Sequence, residues 1–99
     1  MTYQIRFTLS AREDLKRLYL FLYGRDKIIA KRARNTIYKA IDTLKTFPFS
    51  FRKAQADNPF LRELIISFGT NGYVELFEIE ENNIVTILAV RKQREDDYR

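Results

Sequence analysis

The chain has 99 residues, 45% of them apolar and 31% charged, with a net charge of +5, a composition suited to one compact two-layer domain. It holds no cysteine and no histidine, which excludes disulfides, thiolate nucleophiles, zinc sites built on those residues and every mechanism that needs an imidazole base. No metal or cofactor is expected, and any chemistry must run on carboxylates, Lys, Arg, Tyr, Ser or Thr.

Residues 3–9 alternate strictly, with Tyr3, Ile5, Phe7 and Leu9 on one face and Gln4, Arg6 and Thr8 on the other. A period of two predicts a half-buried strand. Ser10 then opens a helix, and Glu13 three positions on completes the S-x-x-E pattern of a capping box. Ala11, Leu15, Leu18, Tyr19 and Leu22 recur at helical spacing up to Gly24, the expected stop. Asp26 is placed to cap a second helix with the stripe Ala30, Ala33, Ile37, Ala40, Ile41 and Leu44, ended by Pro48. So short a connection predicts an antiparallel helical hairpin.

Residues 48–60 hold both prolines and read as a loop pinned to the core by Phe49, Phe51 and Phe60. Strands follow at 61–68, 72–80 and 83–91, separated by turns at 69–72 and at Glu81–Asn82, where asparagine tolerates a positive φ. The expected fold is α+β, a single domain over 1–99 in the order β-α-α-β-β-β. Its helical hairpin packs on one face of a mostly antiparallel four-stranded sheet and leaves the other face partly open.

Charge is unevenly distributed. Residues 25–53 carry nine basic and two acidic side chains, whereas residues 54–99 carry five basic and nine acidic ones. A concentrated positive segment suits an anionic partner, nucleic acid or acidic protein, and equally decorates the solvent face of a long helix. No apolar run approaches the roughly 18–20 residues that cross a bilayer. The opening residues lack a signal peptide's apolar middle. The expected location is the cytoplasm, with no membrane partner.

This order of elements carries AREDL at 11–15, A-x-R-A-x-x-x-I at 30–37, LREL at 61–64, GYVELFEI at 72–79 and ILAVRKQRE at 87–95, followed by Tyr98. Together these resemble the RelE/ParE superfamily, the toxin halves of bacterial type II toxin–antitoxin (plasmid stabilisation) pairs. The resemblance implies a cognate antitoxin, with operator DNA bound only through the toxin–antitoxin complex. It also implies one of two targets: DNA gyrase for ParE-like members, or the ribosome and its mRNA for RelE-like endoribonucleases.

For a ribonuclease, the resemblance assigns catalysis to Arg62, Arg91 and Tyr98: guanidinium groups holding phosphate and a phenol near the scissile bond. Arg62 also suits a structural ion pair, with Glu75 among its candidate partners. Lys92 stands where many members of the R-H-Q-R-E type carry histidine, and an ammonium group is a poor general base. Glu75, Glu78 and Glu80 put negative charge where RNA would run, with Glu75 on the opposite face from the other two. These features favour the ParE-like branch, inhibiting gyrase without chemistry of its own. Target or nucleic-acid contact then falls to Arg52, Lys53, Arg91, Lys92 and Arg94. Leu20, Phe21 and Tyr23, which exceed what one buried stripe needs, are the candidate antitoxin-docking surface.

Overall fold

The structure, a computed structural model, describes residues 2–93. Strand β1 (Gln4–Phe7) leads into helices α1 (Leu9–Tyr23) and α2 (Lys27–Asp42), followed by strands β2 (Arg52–Gln55), β3 (Asn58–Phe68), β4 (Asn71–Glu80) and β5 (Ile84–Lys92). The sheet order is β1-β5-β4-β3-β2. β1 runs parallel to β5, and every other pairing is antiparallel. The α+β two-layer architecture is as expected, with five strands instead of four.

The additional strand lies inside the segment that its prolines marked as a loop. Pro48 begins a short 3-10 turn over Pro48–Ser50. Pro59 falls where β2 and β3 lose register between Lys53 and Gln55, so the missing N–H breaks no ladder bond. Arg52 and Glu63 pair across the two strands at 2.9 Å, and Phe51 meets the buried Phe77 edge-on.

The first helix starts earlier than Ser10. Thr8 is its cap, accepting the Ala11 N–H on its side-chain oxygen at 3.0 Å. Thr8 also ends β1, because its own N–H donates to the Ile87 carbonyl. Leu9 therefore becomes the first helical residue and is 72% exposed, not inward-facing. Asp26 caps α2 as expected, accepting the N–H groups of Ile28 and Ile29. That helix ends at Asp42, ahead of Pro48, and tightens into a 3-10 turn over Thr43–Lys45.

Both helical stripes reach the sheet. Ala11, Leu18, Ala33, Ile37 and Ile41 share one core with Leu64, Ile66, Phe77, Val85, Ile87 and Val90. A bulge on β5 sets which later side chains join it. Leu76 pairs with Ala89 but Phe77 pairs with Ile87, which leaves Leu88 unpaired. Val85 and Ile87 face inward before the bulge, and Val90 and Lys92 after it, so the alternation changes phase at Leu88.

The β4–β5 turn contains Asn82 and Asn83, both at positive φ, so the strand starts at Ile84. Gly72 lies within β4, where a Cβ would stand 2.3 Å from the Ile66 carbonyl oxygen. On β4, Glu78 and Glu80 fall on the open face. Glu75 faces the helices and is 0% exposed.

Candidate functional site

The end of α1 packs against the β3–β4 turn and the end of β5, and there the structure gathers two cations on one aromatic ring. Lys92 Nζ lies 3.9 Å from the Phe21 ring centroid, and Arg25 Cζ lies 4.7 Å from it. The bulge at Leu88 turns Lys92 toward the helices, opposite Tyr73 on β4. Gly24 ends α1 in right-handed backbone and leaves Arg25 on the connection to α2.

A cleft of about 400 Å³ opens beside them, with Phe68, Tyr73, Thr70 and Gly72 on its walls. Burial raises the Tyr73 hydroxyl's pKa, so it remains a hydrogen-bond donor. Phe21 itself stays 46% exposed. Two positive groups on one ring are attracted by the π face and repel each other. Clustered cations of this kind raise the local positive potential, which in general attracts carboxylates and phosphates.

Leu22 and Tyr73 also line a second cavity, of about 270 Å³, between the helices and the sheet. Its rim carries Arg12, Lys16 and Arg34, and among the described residues no acidic one lines it. Arg12 covers the Phe7 ring and Arg34 the Tyr19 ring. The two cavities thus form a basic, aromatic groove along the hairpin.

The other candidate residues are spread over the molecule. Arg62 is turned under the segment before β2: its Nε donates to the Pro59 carbonyl at 2.7 Å, and its Nη1 to those of Phe49 and Phe51. It makes no pair with Glu75. Arg91 pairs with Val74 across β4 and points to the open sheet face, whereas Arg62 shares the helix-facing side with Phe77. Arg52 is held by Glu63. Lys53 sits opposite Arg62 on β2, three strands from β5, or roughly 14 Å at normal strand spacing.

Tyr98 and Arg94 lie outside the described residues. Leu20, Phe21 and Tyr23 are all exposed on α1; Phe21 belongs to the cationic corner, and Tyr23 lies against Tyr19 with Lys27 over its ring. Arg25 lies in none of the sequence motifs, and Tyr73, within GYVELFEI, is not singled out by the sequence as a site residue. The one local signal was a basic residue directly after the helix-stopping Gly24. Among the described residues, no three carboxylates, cysteines or histidines gather as metal ligands, and no helix is long and apolar enough to cross a membrane.

Solved structures similar to this chain include the chromosomal ParDE toxin–antitoxin system from P. aeruginosa, with a TM-score of 0.73, 16% identity, and 91% of this chain and 95% of that chain covered. A mutant of the E. coli toxin RelE in the free state gives a TM-score of 0.68 at 13% identity, covering 98% and 90%. The RelBE2 toxin–antitoxin complex from Mycobacterium tuberculosis gives 0.61 at 24% identity, covering 94% and 100%. The fold is that of the RelE/ParE toxins. No curated protein sequence matches the chain. Residues 5–97 match the family described as ParE toxin of type II toxin–antitoxin system, parDE. The chain belongs to this ParE toxin family and is a type II toxin.

Proposed function

We propose that this toxin inhibits DNA gyrase by binding and is neutralised by a cognate antitoxin. The observation that carries the reading is the separation of Arg62 from Arg91. They occupy opposite faces of the sheet, and Nε and Nη1 of Arg62 are engaged by three backbone carbonyls. A ribonuclease would bring such groups to one phosphate. The Phe21–Arg25–Lys92 corner instead supports recognition of an acidic group on a large partner.

Purified toxin added to a gyrase supercoiling assay is expected to block supercoiling or trap cleaved DNA, and added antitoxin to reverse it. Discrete cuts in translated mRNA with normal supercoiling would assign the chain to the ribosome-dependent endoribonucleases instead.

Antitoxin docking fits the exposed face of α1, where Leu20, Phe21 and Tyr23 adjoin the basic groove. Apolar side chains flanked by carboxylates match that lining, and the ParDE and RelBE2 neighbours are toxin–antitoxin systems. Operator DNA is reached only through that complex, and the site of action is the cytoplasm.

A further inference from the structure

At the middle of β4, Glu75 pairs with Leu64 on one side and Val90 on the other, both in the core. Its side chain lies between sheet and helices, fully buried, and neither carboxyl oxygen has a hydrogen-bond partner among the described residues. A buried ionised carboxylate without a partner is strongly unfavourable, whereas the neutral acid is tolerated.

We infer that Glu75 is a proton-operated latch: the folded domain keeps it as the neutral acid, and loss of that proton releases the helical hairpin from the sheet. Burial pushes the Glu75 carboxyl up to about 8, which is consistent with that geometry.

The charged and titratable groups around this face are already committed or set apart. On α1, Asp14 accepts the Val90 N–H at 3.0 Å and pairs with Arg17, while Arg12 stands over Phe7; Lys16 lines the interlayer cavity. On α2, Arg34 covers Tyr19. On β3, Arg62 is engaged with backbone carbonyls. On β4 and β5, Tyr73 faces Lys92, whose Nζ lies over Phe21. None of them supplies the missing partner of Glu75.

Opening falls between the layers because the sheet is the better-tied part. β3, β4 and β5 are joined by continuous ladders. The helices are held to them mainly by side-chain packing and a few polar ties such as Asp14–Val90 and Thr8–Leu88. Tyr73, two residues from Glu75 on the same face, lines both cavities, which places the nearest openings in the packing on that side of the carboxyl group. Separation also dismantles the cationic corner, because Phe21 and Arg25 travel with the hairpin and Lys92 stays with the sheet.

The sign follows from a folded-state pKa raised above the unfolded one. Stability is fully present below the ordinary carboxyl value, 4.5, falls as the pH rises, and levels off above about 8. Within that window the unfolding constant rises up to about tenfold per pH unit.

The test uses the full antitoxin-free chain and does not depend on the toxin's target. In carbon-13 NMR, one glutamate side-chain carboxyl of the folded protein is expected to titrate near 8, and to be missing in Glu75→Gln. Hydrogen exchange, corrected for intrinsic rates, is expected to show protection of α1 and α2 falling at least about tenfold relative to β3 and β4 between pH 6.5 and 9. Glu75→Gln, or Glu75→Met should the first fail to fold, is expected to abolish that differential loss. The proposal is overturned if every glutamate of the wild-type protein titrates below pH 6. It is equally overturned if hairpin and sheet lose protection together, or if the folded variant keeps the same pH dependence.

Discussion

The Arg62 guanidinium holds the backbone of Phe51, with Nη1 2.8 Å from the Phe51 carbonyl oxygen. The same side chain reaches Phe49 and Pro59, so a single residue of β3 ties the proline-containing segment into the sheet. Its planar fork spreads donors over two nitrogens toward three carbonyls, a geometry that the compact ammonium of a lysine does not reproduce. Arg62→Lys and Arg62→Ala are expected to lower stability by about 1–2 kcal/mol, with alanine the worse, read by urea denaturation. Unchanged stability combined with lost toxicity would return Arg62 to the catalytic role that the resemblance assigns it in a ribonuclease.

Capping gives a sharper contrast. Thr8 caps α1 and bonds the Leu88 carbonyl, whereas Ser10 sits exposed inside the first turn. Thr8→Ala is expected to cost about 1–2 kcal/mol. Ser10→Ala is expected to change the thermal midpoint very little, and an equal loss at the two positions would contradict the assigned cap.

Much of the fold is legible without coordinates because the responsible forces are local. Alternation from Tyr3 to Phe7, the two apolar stripes and the Asp26 cap each depend on neighbours within one or two turns. β2 escapes detection because proline is a strong local signal for a loop, and its ladder exists only through pairing with β3. The phase change at Leu88 is equally hidden: a nearly unbroken apolar run at 84–90 conceals which residue is skipped. That skipped residue decides that Lys92, not Arg91, meets Phe21. The sequence singles out Phe21 and Lys92 for two separate surfaces, and packing of the α1 end against the β3–β4 turn is what brings them together with Arg25 and Tyr73.

Charge reversal at the cationic corner separates recognition from folding. Arg25→Glu and Lys92→Glu are each expected to weaken gyrase inhibition by at least about tenfold, since each removes one arm of an anion clamp. Circular dichroism is expected to show both variants folded. Arg52→Ala, at the far edge of the sheet, is expected to keep inhibition; equal losses at all three positions would disperse the site over the surface.

Asp14 offers a test of how β5 is finished beyond the end of β1. Its Oδ2 takes the Val90 N–H, and its Oδ1 meets Arg17 at 3.2 Å. Asp14→Asn retains an acceptor for Val90 and loses only the ion pair to Arg17, whose side chain is half exposed, so its stability is expected to stay within about 1 kcal/mol of wild type. Asp14→Ala orphans the Val90 N–H and is expected to cost about 1–2 kcal/mol. Chemical denaturation of the two variants side by side measures the difference.

The parallel pairing of β1 with β5 governs when this domain can first close its sheet. Thr8 and the Leu88 carbonyl that it bonds are separated by 80 positions in the chain, and Lys92 is contributed by the last turn of the ladder. During translation the opening strand must wait, without its neighbour, until β5 has emerged from the exit tunnel. A nascent chain stalled before β5 therefore carries both helices without Lys92, and the Phe21–Arg25–Lys92 corner forms only once that strand is available.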